Sequence, residues 1–228
     1  MTHSFVRSSV GKKIAMAVTG LILLGFVLVH MLGNLQIFLG RETLNAYAEH
    51  LQDFGPLLWV ARLVLLTALV VHVWSASRLT WENARARPVG YGFKDTVQAS
   101  YASRTMMMSG IIVFLFIVYH LLHYTLFVVH PQYRYLIDAK GRHDVYAMVV
   151  LSYQNVLVSS AYVLAMLALA FHLSHGIQSL FQTIGFNHPK HTPRVKAAGI
   201  ALSFLILFGN ASIPVAVMVG ALRPPGAP

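Results

Sequence analysis

The sequence predicts an all-α, polytopic membrane protein with five transmembrane helices. Three observations carry this. The 228 residues are 57% hydrophobic and only 11% charged, with a mean hydropathy of +0.63, which is too apolar for a water-soluble domain. Five apolar stretches are long enough to cross a bilayer, which takes about 20 residues each. Short polar connectors separate them. The chain has no cysteine, which excludes disulfides, thiolate metal sites, iron–sulfur clusters and covalently attached c-type haem. The net charge of +10 fits basic loops that set topology and meet anionic lipid headgroups; no nucleic-acid-binding motif accompanies it. Twelve histidines are the compositional oddity.

The basic start, MTHSFVRSSVGKK, turns directly into an apolar run. That run is longer than a signal-peptide core and no A-x-A-type site follows, so it reads as a retained first helix over about 10–39. Its central part, MAVTGLILLGFVLVHMLGNL, carries His30 deep inside. Residues 40–55 form a polar connector. Leu44, Tyr47 and Leu51 recur there at helical spacing, which predicts a short amphipathic helix at the interface. Pro56 opens a second helix over 56–79, apolar apart from Arg62 and His72. A basic connector over 80–104 leads to a third helix over 105–129, with His120 and His123, closed by Pro131. After a turn-rich loop, a fourth helix over 145–181 begins near Val145, enters the apolar core near Val156 and carries His172 and His175. A fifth, over 195–222, holds Asn210 and Pro214 and no histidine. The chain reads as one transmembrane domain over 1–228.

Five spans put the termini on opposite sides. The side of the N-terminus holds Arg7, Lys12, Lys13, Arg78, Arg85, Arg87, Lys94, Arg104, Lys190, Arg194 and Lys196. The other side holds fewer basic residues and most of the acids: Glu42, Glu49, Asp53, Asp138 and Asp144. The positive-inside rule places the N-terminus in the cytoplasm.

An ionisable group inside an apolar span is costly and marks a functional site by default. His30 and His120 lie on helices running outward, about ten residues from their outer ends, or about 15 Å at 1.5 Å per residue. His72 and His172 lie on helices running inward, about ten residues from their inner ends. The four therefore form an outer pair and an inner pair. Two imidazoles facing each other across a bundle ligate a haem iron axially and leave no open position, the ligation of an electron carrier. Two such pairs predict two b-type haems, one above the other, in a haem-binding bundle. A hydrogen bond to a neighbouring helix explains one intramembrane histidine equally well, but does not explain four in two matched levels.

A small residue sits eleven positions before each of these histidines: Thr19, Ala61, Ser109 and Ala161. Eleven residues are three turns, about 16 Å, so each lies on its histidine's face near the level of the other haem, where it lets a macrocycle edge approach. The segments MAVTG and MMMSG keep the same spacing to His30 and His120, which suggests similar haem seats; glycine-mediated helix packing accounts for them as well. His175 lies nearer the cytoplasm and suits a haem propionate. His123 faces quinone or propionate or, the favoured reading, is a buried or interfacial histidine bonded to backbone. Arg62 pairs with an outer propionate or snorkels at the interface. His3, His50, His130, His143, His188 and His191 read as solvated surface.

The stretches GKKIAMAVTGLILLGFVLVHMLGNLQ, LTWENARARPVGY, SRTMMMSG leading to His120, and HLSHGIQSLFQTIGFNHP from His172 together resemble the di-haem cytochrome b membrane-anchor subunits of bacterial succinate dehydrogenase and fumarate reductase. The resemblance implies a complex in the bacterial inner membrane with a flavoprotein subunit and an iron–sulfur subunit on the cytoplasmic face. It implies that helix one pairs with three and two with four, and that electrons pass between the iron–sulfur subunit and a quinone, usually menaquinone, near the outer haem. A higher oligomer of the complex is compatible with it. Glu49 and Asp53 are the local candidates for quinone protons, with a solvated helix face as the alternative. Two other readings stand beside it: the di-haem cytochrome b of another quinone-linked enzyme, such as a formate dehydrogenase or hydrogenase, and a transporter with intramembrane histidines as proton relays.

Overall fold

The computed structural model describes residues 8–86, 101–186 and 188–226, so Arg87 and Lys94 of the basic connector lie outside the described residues. Five helices are long and apolar enough to cross a membrane, and no strand occurs among the described residues. The protein is an all-α, multi-pass membrane protein.

Ser8 caps α1 (Ser9–Leu35) by accepting the Gly11 N–H at 2.9 Å. A 3₁₀ turn, Gln36–Leu39, follows, and Gly40, at φ 104°, swings the chain into the amphipathic α2 (Arg41–Asp53). α2 buries Leu44 and Asn45 and exposes most of its remaining polar residues. α3 (Pro56–Arg85) runs six residues past the expected end at 79. The reason is polar support: Lys12 at the start of α1 pairs with Glu82 at 2.5 Å, and Trp81 lies under the guanidinium groups of Arg78 and Arg85.

A short turn, α4 (Tyr101–Arg104), precedes α5 (Met106–His120). The third span differs from the helix expected over 105–129. It widens into a π turn, Leu121–Thr125, and stops there. The N–H groups of Leu126 and Val128 reach back to Leu121 and Leu122, and Phe127 sits at φ 55°. The helix expected over 145–181 is two helices, α6 (Val145–Tyr153) and α7 (Val156–Thr183). Asn155 breaks them apart, because its side chain caps α7 through the Leu157 and Val158 N–H groups. α8 (Thr192–Met218) lies a few residues earlier than 195–222, and Gly220 at φ 77° follows its end.

α1 lies along α3 and α5 along α7, while α8 packs on both α7 and α1. Small residues permit that close approach. A Cβ on Gly199 would come within 3.2 Å of Ile177, and Gly209 faces the Met31 side chain. α3 buries only Ala68, Ser75 and Leu79, so most of its apolar surface is exposed in the single chain.

A polar layer closes the side opposite the N-terminus, here the far side. Asp144 is buried, caps α6 through the Ala147 N–H, and accepts from Arg41 at 2.5 Å and Asn45 at 2.9 Å. Arg142 bridges Asp138 at 2.7 Å and Glu42 at 2.8 Å. These bonds tie α2 to the loop over 131–144. Burial pushes the Asp144 carboxyl up, but its bonds to Arg41, Asn45 and Ala147 outweigh this and hold it below the usual range. The Arg142 guanidinium lowers Asp138 and, with Lys140, Glu42.

All three carboxyls are depressed in the folded state. Their stabilisation is complete above the ordinary carboxylate value of about 4 and is lost as pH falls through it toward the folded values. The melting temperature in detergent should therefore stay level from about pH 6 to pH 5 and drop from there towards about pH 3. Asp144→Asn should flatten that dependence, and Asp144→Ala, which also removes the cap, should cost about 1 kcal/mol more.

Candidate functional site

The first half of the bundle places a threonine and a glycine on α1 against a histidine on α3. Thr19 donates its hydroxyl proton to the Ala15 carbonyl at 2.7 Å, and its oxygen lies 3.3 Å from Nδ1 of His72. The same Nδ1 lies 3.1 Å from the Met16 carbonyl. A carbonyl only accepts, so Nδ1 carries the proton and Nε2 keeps its lone pair. Gly20 makes room: a Cβ there would sit 3.2 Å from the His72 ring.

The second half repeats this construction. Ser109 on α5 donates to the Met106 carbonyl at 3.0 Å, and its oxygen lies 3.4 Å from Nδ1 of His172 on α7. A Cβ on Gly110 would sit 3.3 Å from the His172 ring. Thr19 and Ser109 thus act as hydroxyl partners of the imidazoles at their own level, a role beyond the small size seen in the sequence. Ala61 and Ala161 have no hydroxyl to offer.

Across the bundle the rings of His72 and His172 are 6.3 Å apart between centroids, and those of His30 and His120 are 5.8 Å apart. Thr19 shares a level with His72, and His30 lies eleven residues further along α1, so the pairs stand about 16 Å apart along the helix axis. A metal held by two imidazole nitrogens at about 2.0–2.1 Å puts those nitrogens about 4 Å apart and the ring centroids about 6 Å apart. Both pairs fit that spacing. No group of three or more His, Asp or Glu side chains gathers to hold a metal ion among the described residues. Two imidazoles per site suit an iron that brings its other four nitrogen donors in a macrocycle, and the donor set fits haem.

The surroundings of the pairs differ. The His30 ring stacks on Phe26 at 5.2 Å. Nδ1 of His120 lies 3.3 Å from the Tyr162 hydroxyl, which also lies 3.1 Å from Nδ1 of His123. Nε2 of His123 lies 3.1 Å from Nδ1 of His130. His123 is fully buried on the π turn and bonds to these side chains, which corrects the favoured backbone-bonded reading. His130, expected as solvated surface, is half-buried and joins the same network. The reason is the π turn, which ends the span early and folds His130 back over His123. Tyr162 went unnoticed in the sequence. The available signal was a phenol inside an apolar helix, which needs a partner.

The remaining candidates lie apart. Arg62 is exposed, with its guanidinium 4.9 Å from the Trp59 ring. Glu49 is half-exposed and lies 3.8 Å from Arg142 in the far-side layer, and Asp53 is exposed at the end of α2. His175 is half-buried, one turn beyond His172.

The fold and its paired imidazoles define a multi-pass helical membrane protein with histidines matched across the bundle at two depths. A family model described as succinate dehydrogenase/fumarate reductase transmembrane subunit matches residues 91–211, just over half of the chain. The chain belongs to that family and is a membrane subunit of such a complex. The match takes in His120, Tyr162 and His172, while α1 and α3 lie before it. Neither the curated proteins nor the solved structures give a match.

His123→Leu removes the buried partner of both Tyr162 and His130. It should destabilise the protein by about 1–3 kcal/mol, the cost of leaving buried polar groups unpaired. Thermal melting in detergent at neutral pH checks this, and an unchanged midpoint would contradict the network.

Proposed function

We propose that the chain is the cytochrome b membrane anchor of a bacterial succinate:quinone oxidoreductase. In this reading two b-type haems, bound non-covalently, supply the one-electron changes that link an iron–sulfur subunit to menaquinone or another quinone. The observation that carries it is the pair of facing imidazole pairs at two depths, in a chain that belongs to the succinate dehydrogenase/fumarate reductase membrane-subunit family. The N-terminal side is cytoplasmic, where basic residues outnumber acids and the flavoprotein and iron–sulfur subunits dock.

Each residue has a distinct task. His72 and His172 hold the haem nearer the cytoplasm, with Nδ1–H engaged from α1 and α5 respectively so that Nε2 is free for iron. Gly20 and Gly110 keep the space beside those rings open. His30 and His120 hold the outer haem. Quinone binds on the outer side, near His120 and the polar layer around α2. Proton exchange with the quinone takes place there, because an apolar core has no water to supply protons. Glu49 and Asp53 remain candidates for that exchange from the outer surface. Moving a charge across 100 mV is worth about 2.3 kcal/mol, so a quinone on the outer side ties the reaction to the membrane potential.

Purified complex carrying His30→Ala or His120→Ala should lose one and the same haem and keep the other. His72→Ala or His172→Ala should lose the complementary one. Reduced-minus-oxidised spectra with a haem assay read the result. Retention of both haems in a His30→Ala, His72→Ala double variant would overturn the assignment.

A further inference from the structure

We infer that Tyr162 is a positioning residue for the outer haem ligand, and that the His123–His130 pair behind it completes the device. The inference rests on the reading of His120 as an axial ligand. With Nε2 of His120 on iron, its Nδ1 carries the proton and donates to the Tyr162 oxygen, 3.3 Å away. The phenol then donates to Nδ1 of His123 at 3.1 Å, which leaves Nε2–H of His123 to donate to His130 at 3.1 Å. Each donor meets one acceptor, and all the bonds run in one direction, from the ligand to the far-side loop.

The inner pair is built otherwise. His72 engages the Met16 carbonyl, fixed in the backbone of α1, as well as the Thr19 hydroxyl, and the Ser109 hydroxyl that faces His172 is itself held by the Met106 carbonyl of α5. His120 leans instead on one side-chain hydroxyl, and that hydroxyl is itself held by another side chain. A phenol that donates onward becomes a better acceptor, because hydrogen bonds in a chain polarise one another. A better acceptor on Nδ1–H raises the basicity of the ligating nitrogen, which favours oxidised over reduced iron. Tyr162 therefore lowers the potential of the outer haem, and His123 sets by how much. The π turn serves this arrangement: it seats the buried His123 ring against Tyr162 and brings His130 within reach.

The test is an anaerobic redox titration of both haems in the purified complex. Tyr162→Phe keeps the ring and removes only the hydroxyl. It should raise the outer haem's midpoint, with a three- to tenfold larger ratio of reduced to oxidised haem at the wild-type midpoint, and leave the inner haem where it was. A tenfold ratio corresponds to 59 mV for one electron. Selective loss of the outer haem in Tyr162→Phe also supports the assignment. Should that variant not assemble, His123→Leu and His123→Gln decide the matter. Leu removes the acceptor of the phenol and should raise the outer midpoint; Gln offers an oxygen in its place and should restore it towards wild type. An unchanged outer midpoint in Tyr162→Phe, equal shifts of both haems, or equal midpoints for the two His123 variants would overturn the inference while leaving the haem assignment intact. Wild-type complex without two haems would overturn the functional reading itself.

Discussion

An imidazole in an apolar bundle has two ring nitrogens, and each must be satisfied without water. The architecture answers this constraint. At the level of His72 and His172 the first nitrogen is met from the adjacent helix, by Thr19 and the Met16 carbonyl for His72 and by Ser109 for His172. The second nitrogen is left for a partner across the bundle, where the opposing ring stands at 6.3 Å. Glycines at positions 20 and 110 bring the helix close enough for the hydroxyl to reach. One helix pair, α1 with α3, and its counterpart, α5 with α7, repeat the same local chemistry. The bundle is in that sense two copies of one idea facing each other.

The other elements hold these two halves in register. α8 carries no histidine. It packs against α7 and α1 through Gly199 and Gly209 and buries Ser203, Ile206, Leu207 and Ile213. The far-side layer does the same from outside the membrane. Asp144 gathers Arg41 and Asn45 of α2 while it caps α6, so the chain segments that flank the outer pair are pinned to one another. At the opposite end the Lys12–Glu82 pair joins the start of α1 to the end of α3. Polar bonds thus close both ends, and apolar packing with small residues fills the middle.

Much of this was legible in the sequence. Span number followed from hydropathy. The depth of each histidine followed from counting residues along a helix of known rise, and depth alone matched His30 with His120 and His72 with His172. The 11-residue spacing pointed to Thr19 and Ser109 because helix geometry puts three turns on one face. Three features were hidden. The π turn after His120 inserts a wider turn that no hydrophobic pattern encodes. The break at Asn155 turns on one side-chain cap in the short polar step SYQN between two apolar runs, which hydropathy alone reads as one helix. Tyr162 and His130 join His123 only through tertiary contact between α7, the π turn and the far-side loop. The acidic residues of α2 illustrate the reverse case: Glu49 and Asp53 stood out in the sequence, yet the fold leaves them exposed on the far side, away from the paired histidines.

The most direct measurement of the central claim is the haem content and ferric spin state of the purified wild-type complex. Two facing imidazole pairs predict two haems per chain, both low-spin with two nitrogen axial ligands. One haem per chain, none, or a high-spin iron with an open position would contradict the account.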